Sequence, residues 1–146
     1  MLIATDGSKN SQRAAEVGIE MAKLYGAAIT ALYVVDVGKE YAPIGDLAKK
    51  IAEDIIIKNI NYLKEQGEEA TSLVEKMAKK ADVSVEKKIV EGYPAEEIIR
   101  MAKENNMDFI VVGGIGATGV ERFLLGSVAD KVVRNSKIPV LVVRKS

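Results

Sequence analysis

A doubly wound α/β fold, with a five-stranded parallel sheet of order 3-2-1-4-5 and helices on both faces, is the architecture this sequence predicts. Three observations predict it. Short apolar runs rich in Val, Ile and Leu alternate with segments of helical periodicity along the whole chain, the pattern of βαβ units joined by right-handed crossovers. The run from Ile29 to Val35 is nearly uninterrupted in apolar residues, as in a strand covered on both faces. Two strand ends, Thr5-Asp6-Gly7-Ser8 and Gly113-Gly114-Ile115-Gly116, carry turn and small polar residues. If those strands are neighbours, both ends open on the crevice where strand order reverses, the place at which such sheets take ligands. The length of 146 residues suits one domain, 1–146, with a single core.

Leu2-Ile3-Ala4-Thr5 is the first strand, stopped by the turn chemistry of Asp6-Gly7-Ser8. Ser8 caps a helix in which Ala14, Val17, Gly18, Met21 and Tyr25 share one face, and Gly26 closes it. The second strand ends at Asp36-Val37-Gly38. From Asp46 to about Lys80, Leu47, Ile51, Ile55, Leu63, Ala70, Val74, Met77 and Ala81 keep a period near 3.6, which is one long helix or two. The interior Gly67 costs about 1 kcal/mol relative to Ala, so a kink or short break is expected there. Pairs such as Lys50 with Asp54, Asp54 with Lys58, and Glu75 with Lys79 lie on its wet side. The Lys/Glu run from Lys49 to Lys80 reads most simply as a solvated face.

Val83 to Val90 alternates apolar and polar residues in its first half, as an edge strand does. Pro94 opens a helix carrying Ile98, Met101 and Ala102 inward, and Asn105-Asn106 ends it. Phe109 to Val112 is the fourth strand, Ser127 to Arg134 the last helix, and Pro139 opens the fifth strand, Val140 to Val143.

Composition removes whole classes of function. The chain has 21 Lys and Arg against 21 Asp and Glu and no basic stripe, so nucleic acid is not its principal partner. It has no Cys and no His, which takes away disulfides, thiolate chemistry and the commonest general base and metal ligand. No apolar run approaches a membrane span, and Met1 to Asp6 lack a charged signal-peptide n-region, so a cytoplasmic protein without a membrane partner is expected.

The run Val111-Val112-Gly113-Gly114-Ile115-Gly116 drives a buried strand into glycines, where backbone can approach a ligand closely. Gly126 and Ser127 then stand at a helix N-terminus, whose unpaired amides attract phosphate. Each feature has a plainer reading: the glycines as a tight connection, Asp6 as a turn residue capping the first helix, Ser127 as an N-cap.

The G-x2-G-x9-G-S spacing of Gly113, Gly116, Gly126 and Ser127, the opening Ala4-Thr5-Asp6-Gly7-Ser8 and the closing Pro139-Val140-Leu141-Val142-Val143 resemble the universal stress protein family over nearly the whole chain. The resemblance implies the same doubly wound sheet, an adenine nucleotide alpha-hydrolase-like fold, and ATP as ligand. It implies that Ala4, Thr5 and Asp6 line the nucleoside, with Asp6 near the ribose or adenine edge, and that Val34 contacts the adenine. Gly113 and Gly116 would flank the ribose and phosphates beside Val112, while Gly126, Ser127 and the Val128 N–H would hold the phosphates. Ile115 and Ala117 stand where many members carry polar or basic residues, and no Walker lysine is present. Phosphate charge would fall to amides, to Arg122 or Lys131, or to Mg2+.

The resemblance further implies a homodimer through the last strand, Val140, Leu141, Val142 and Val143, whose apolar edge needs a cover. The expected function is an ATP-binding regulatory protein of the stress response, whose nucleotide occupancy alters a surface read by an unidentified protein partner. A slow ATPase using Asp6 to orient water, and a dimeric scaffold with an empty pocket, are the alternatives.

Overall fold

The computed structural model describes residues 1–38, 45–115 and 125–144. Along the chain these form β1 (Leu2–Ala4), α1 (Lys9–Tyr25), β2 (Ile29–Asp36), α2 (Asp46–Lys80), β3 (Val85–Gly92), α3 (Pro94–Glu104), β4 (Ile110–Gly113), α4 (Ser127–Asn135) and β5 (Val140–Val143). The five strands make one sheet in the order β3-β2-β1-β4-β5, and every pairing is parallel. The expected architecture is the observed one.

Burial explains why the sheet is doubly covered. Ile3, Ala31 and Val111 point to one side, where Ala14, Ala15, Ile19 and Ala22 of α1 and Val74 and Ala78 of α2 close over them. Leu2, Leu32, Ile110 and Val112 point to the other side, against Ile98, Met101 and Ala102 of α3 and Ala129 and Val132 of α4. Strand alternation thus feeds two cores from three adjacent strands. No helix among the described residues is long and apolar enough to cross a membrane.

The local signals are realised at most ends. Ser8 caps α1, its side chain accepting from the Ser11 N–H, and Gly26 ends that helix in the left-handed region at φ 63°. Pro94 opens α3, and Asn106 takes a left-handed turn after it. Glu75 and Lys79 pair across one helical turn at 3.5 Å. Strand bounds move by one or two residues: β1 stops at Ala4, β2 reaches Asp36, β3 starts at Val85 and β4 runs from Ile110 to Gly113. Tyr25, expected on the inner face of α1, is exposed, and Ile19 and Ala22 are buried there instead.

Helix α2 takes the one-helix form of the expectation, continuous from Asp46 to Lys80 without the short break expected at Gly67. Its buried residues, Gly67, Ala70, Thr71, Val74 and Ala78, all lie in the C-terminal half, while Leu47, Ile51 and Ile55 are exposed. Only the second half has sheet beneath it. Gly67 is needed for a close approach: a Cβ there would lie 2.7 Å from Cδ1 of Tyr33 and 3.1 Å from its Cγ. The glycine that reads as a weak point lets an aromatic ring of β2 seat directly against helix backbone.

Gly67→Ala therefore has opposing effects. Helix propensity gains about 1 kcal/mol, and forcing a methyl against a buried ring costs about 1–3 kcal/mol. The expected net result is a lower urea midpoint in wild type and a higher one when Tyr33 is first replaced by Ala. A gain in stability from Gly67→Ala alone would refute the close-packing role.

Candidate functional site

The short central strand β1 lies between β2 and β4, with Ile3 in register with Ala31 on one side and Val111 on the other. The segments leaving β1, β2 and β4 at their carboxyl ends consequently open on one side of the sheet. A cavity of about 390 Å³ lies there, within the range of small-molecule sites. Ala4, Thr5 and Asp6 enter it from β1, Val34 from β2, and Val112 and Gly113 from β4. Gly126, Ser127 and Val128 enter it from the start of α4. These distant segments therefore do converge. Gly116, Ala117 and Arg122 lie outside the described residues.

Several roles are altered by the hydrogen bonds. The Gly126 N–H donates to the Gly114 carbonyl at 2.6 Å, so this amide is already committed and is not a phosphate donor. Gly126 is itself the N-cap of α4, and no side chain caps that helix. Ser127 is thus the first helical residue and not the N-cap. The amides of Ser127, Val128 and Ala129 belong to the turn that has no intrahelical acceptors, where the helix dipole favours an anion. Gly113 has a packing reason as well: a Cβ there would stand 3.2 Å from the Asn10 carbonyl oxygen. Its bareness admits the first turn of α1.

Asp6 is a turn residue that also faces the cavity, while the cap of α1 is Ser8. The Asp6 Oδ1 accepts from the Ser8 N–H at 2.9 Å, an Asx turn leading into α1. Beneath it Thr5 and Ser11 are buried with their hydroxyl oxygens 3.1 Å apart. Tyr33 lines the same space. Burial pushes its phenol above the ordinary 10.0, and the nearby Asp6 carboxylate and Tyr62 push it the same way.

The cavity also takes Leu32 and Asp36 from β2, Leu63 from α2, Pro94 and Ile98 from α3, and Ile115 after β4. Apart from Ile115, which lies in the glycine segment already singled out, sequence reasoning missed these. Ser11 had one legible signal, its place three residues after the capping Ser8. Leu63 and Tyr33 had none, because what brings them together is the close seating of α2 on β2 at Gly67.

Apolar side chains of Leu32, Val34 and Ile98, the acidic side chains of Asp6 and Asp36, and the first turn of α4 share the lining. Among the described residues, no Lys or Arg lines it. No group of three acidic side chains converges among the described residues either, so Mg2+ entering here would be held mainly by phosphate and water.

Comparison with known proteins places this geometry. The family model described as the universal stress protein family matches residues 1–144. Universal stress protein MJ0531 of Methanocaldococcus jannaschii is 43% identical over 145 residues, covering 99% of this chain and 81% of that protein. Universal stress protein YxiE of Bacillus subtilis is 34% identical, covering 99% of this chain and 97% of the relative. Among solved structures, that of MJ0577 from the same archaeon superposes with a TM-score of 0.81 at 28% identity, over 99% of this chain and 94% of the other. A universal stress protein solved in complex with cAMP superposes with a TM-score of 0.64 at 27% identity, over 99% of this chain and 95% of the other. By sequence over its full matched length and by the topology of its sheet, this chain belongs to the universal stress protein family.

Proposed function

We propose that this protein binds ATP in the crevice between β1 and β4 and acts as a nucleotide-dependent regulatory protein of the stress response. The observation that carries the reading is the convergence of Asp6 and the first turn of α4 on one partly apolar cavity. Adenine would lie against Leu32 and Val34, the ribose beside Thr5 and Asp6, and the phosphates at the amides of Ser127 and Val128 with the Ser127 hydroxyl. Mg2+ would accompany the phosphates and keep most of its waters. The cAMP complex of a neighbour supports a nucleotide in this fold. The sequence offers no His or Cys for proton transfer, so holding the nucleotide, not turning it over, is the reading we adopt.

Occupancy would reach a partner through α2. Leu63 lines the cavity, while Leu47, Ile51 and Ile55 are exposed on the same helix. A ligand pressed on Leu63 changes the stability of that arm and so the surface a protein partner reads. A homodimer through β5 is part of the proposal. β5 is a sheet edge, and Val140 to Val143 are only half-buried in the isolated chain, so a two-fold pairing with a second copy would cover them.

Purified protein, denatured and examined by absorbance at 260 nm and mass spectrometry, is expected to release ATP or to take it up from Mg-ATP without steady ADP formation. Sustained ADP release would make it an ATPase. Ser127→Asp separates binding from folding: a carboxylate in the first turn of α4 favours the helix by about 0.3–1 kcal/mol yet repels phosphate. ATP affinity should fall at least about tenfold with Tm unchanged or raised; unaltered affinity would remove the phosphates from α4.

Amide exchange over residues 46–63 is expected to slow when ATP is added and to be indifferent to it in Ser127→Asp. Protection confined to the cavity floor would disconnect α2 from the signal.

The dimer has its own test. Ile110 N–H donates to the Pro139 carbonyl and Gly114 N–H to that of Val143, so by alternation Val142 directs its N–H away from β4 to the open edge. Val142→Pro removes that edge donor and spares the β4 pairing. Sedimentation should show a dimer for wild type and a monomer for the variant; a wild-type monomer would discard the assembly.

A further inference from the structure

Resting on the nucleotide reading, the hydroxyls beneath the cavity fix what kind of sugar group the site accepts. Thr5 and Ser11 are 6% and 5% exposed, so their protons need acceptors within the protein. The Gly7 N–H donates to Thr5 Oγ1 at 3.2 Å. Ser11 Oγ donates to the Ser8 carbonyl at 2.9 Å and stands 3.1 Å from Thr5 Oγ1. Each hydroxyl has one proton. If Ser11 turned its proton to Thr5, the Thr5 proton would be left facing the cavity without a partner in this network. Only the order Thr5 to Ser11 to the Ser8 carbonyl gives each buried proton an acceptor.

We infer that Ser11 locks Thr5 Oγ1 as a hydrogen-bond acceptor toward the cavity, which makes Ser11 a positioning residue selecting nucleotides whose sugar presents a free hydroxyl donor. The location singles out the sugar. Thr5 follows β1, between Leu32 and Val34 of β2 on one side and Ser127 and Val128 of α4 on the other. β1 lies between β2 and β4, and the start of α4 is tied to the β4 side by the Gly126 N–H on the Gly114 carbonyl, so in a nucleotide laid from β2 to the helix the ribose is the part that passes over β1. The neighbouring Asp6 carboxylate is also an acceptor when ionised, so the middle of the crevice asks its ligand for donors. The Ser11 backbone N–H, which bonds the capping Ser8 Oγ at 3.2 Å, is untouched by changes to the Ser11 side chain.

Fluoro-sugar analogues test this, because fluorine keeps the size of a hydroxyl and has no proton to give. Titration calorimetry with ATP, 2′-fluoro-2′-deoxy-ATP and 3′-fluoro-3′-deoxy-ATP is expected to show wild type rejecting one of the two by about tenfold, and which one identifies the hydroxyl that Thr5 holds. In Ser11→Ala the Thr5 proton loses its acceptor and turns to the sugar. The ratio of analogue to ATP affinity should then rise to near one even if both ligands bind more weakly. Thr5→Val, which deletes the acceptor itself, should abolish the discrimination in the same way and serves if Ser11→Ala does not fold. A Ser11→Ala protein that loses affinity for ATP and analogue in equal proportion would reduce Ser11 to a structural role and overturn the inference. So would a wild type that binds ATP and both analogues alike, with the nucleotide reading intact. A wild type that binds no ATP would end both.

Discussion

Parallel pairing of the three-residue strand β1 with both β2 and β4 is the constraint from which the rest of the molecule follows. Leu2 and Ile3 are fully buried, one into each core, so the register of β1 cannot slip by a residue without exchanging its two faces. That register sets Thr5 and Asp6 beside Gly113, and the Thr5 N–H holds the Leu32 carbonyl at 2.9 Å to continue the pairing past the strand's end. The crevice is a consequence of the strand order. The chain leaves β1 toward β2 and returns to its other side as β4, and the two connections diverge above the sheet.

Gly114, where the chain leaves β4, also anchors the start of α4. The Gly126 N–H and Gly114 carbonyl bring the two ends of the 115–125 excursion together, and Asp130 N–H returns to the Gly126 carbonyl to start α4. An N–H spent in this way cannot also meet a ligand. The donors offered to a ligand move one residue along, to the amides of the first helical turn. A glycine spacing is therefore partly a record of backbone engineering: Gly113 admits α1, Gly126 closes a loop, and neither need touch a phosphate for its identity to matter.

The legible parts of the sequence were those whose cause is local. Strand order followed from alternating apolar runs and from two unusual strand ends, and Ser8, Gly26 and Pro94 announced helix ends because caps and φ restrictions act within a few residues. The cavity-lining residues supplied by strand ends, Ala4 to Asp6 and Val112 to Gly113, were legible for the same reason. What was illegible depends on tertiary seating. Gly67 carries the same local propensity whether it breaks a helix or receives a ring, and only Tyr33 across the interface decides. Leu47, Ile51 and Ile55 repeat at helical spacing, but spacing does not tell whether a sheet lies underneath. The apolar period of α2 therefore runs on past the point where its packing partner ends.

The charge distribution around the cavity sets how such a site can hold a polyanion. Asp6 and Asp36 line it, and no cationic side chain does among the described residues. A triphosphate would gain from the first turn of α4 and from the cations it brings, and would be repelled by the carboxylates of Asp6 and Asp36. This polarity orients the ligand, since phosphate against Asp6 is the unfavourable direction and ribose hydroxyls against Asp6 the favourable one. Orientation obtained partly by repulsion costs affinity. Stabilisation by a ligand follows RT ln(1 + [L]/Kd), about 2.7 kcal/mol at a hundredfold excess and far less near Kd. A site whose Kd lies near the working ligand concentration changes its occupancy most steeply as that concentration falls.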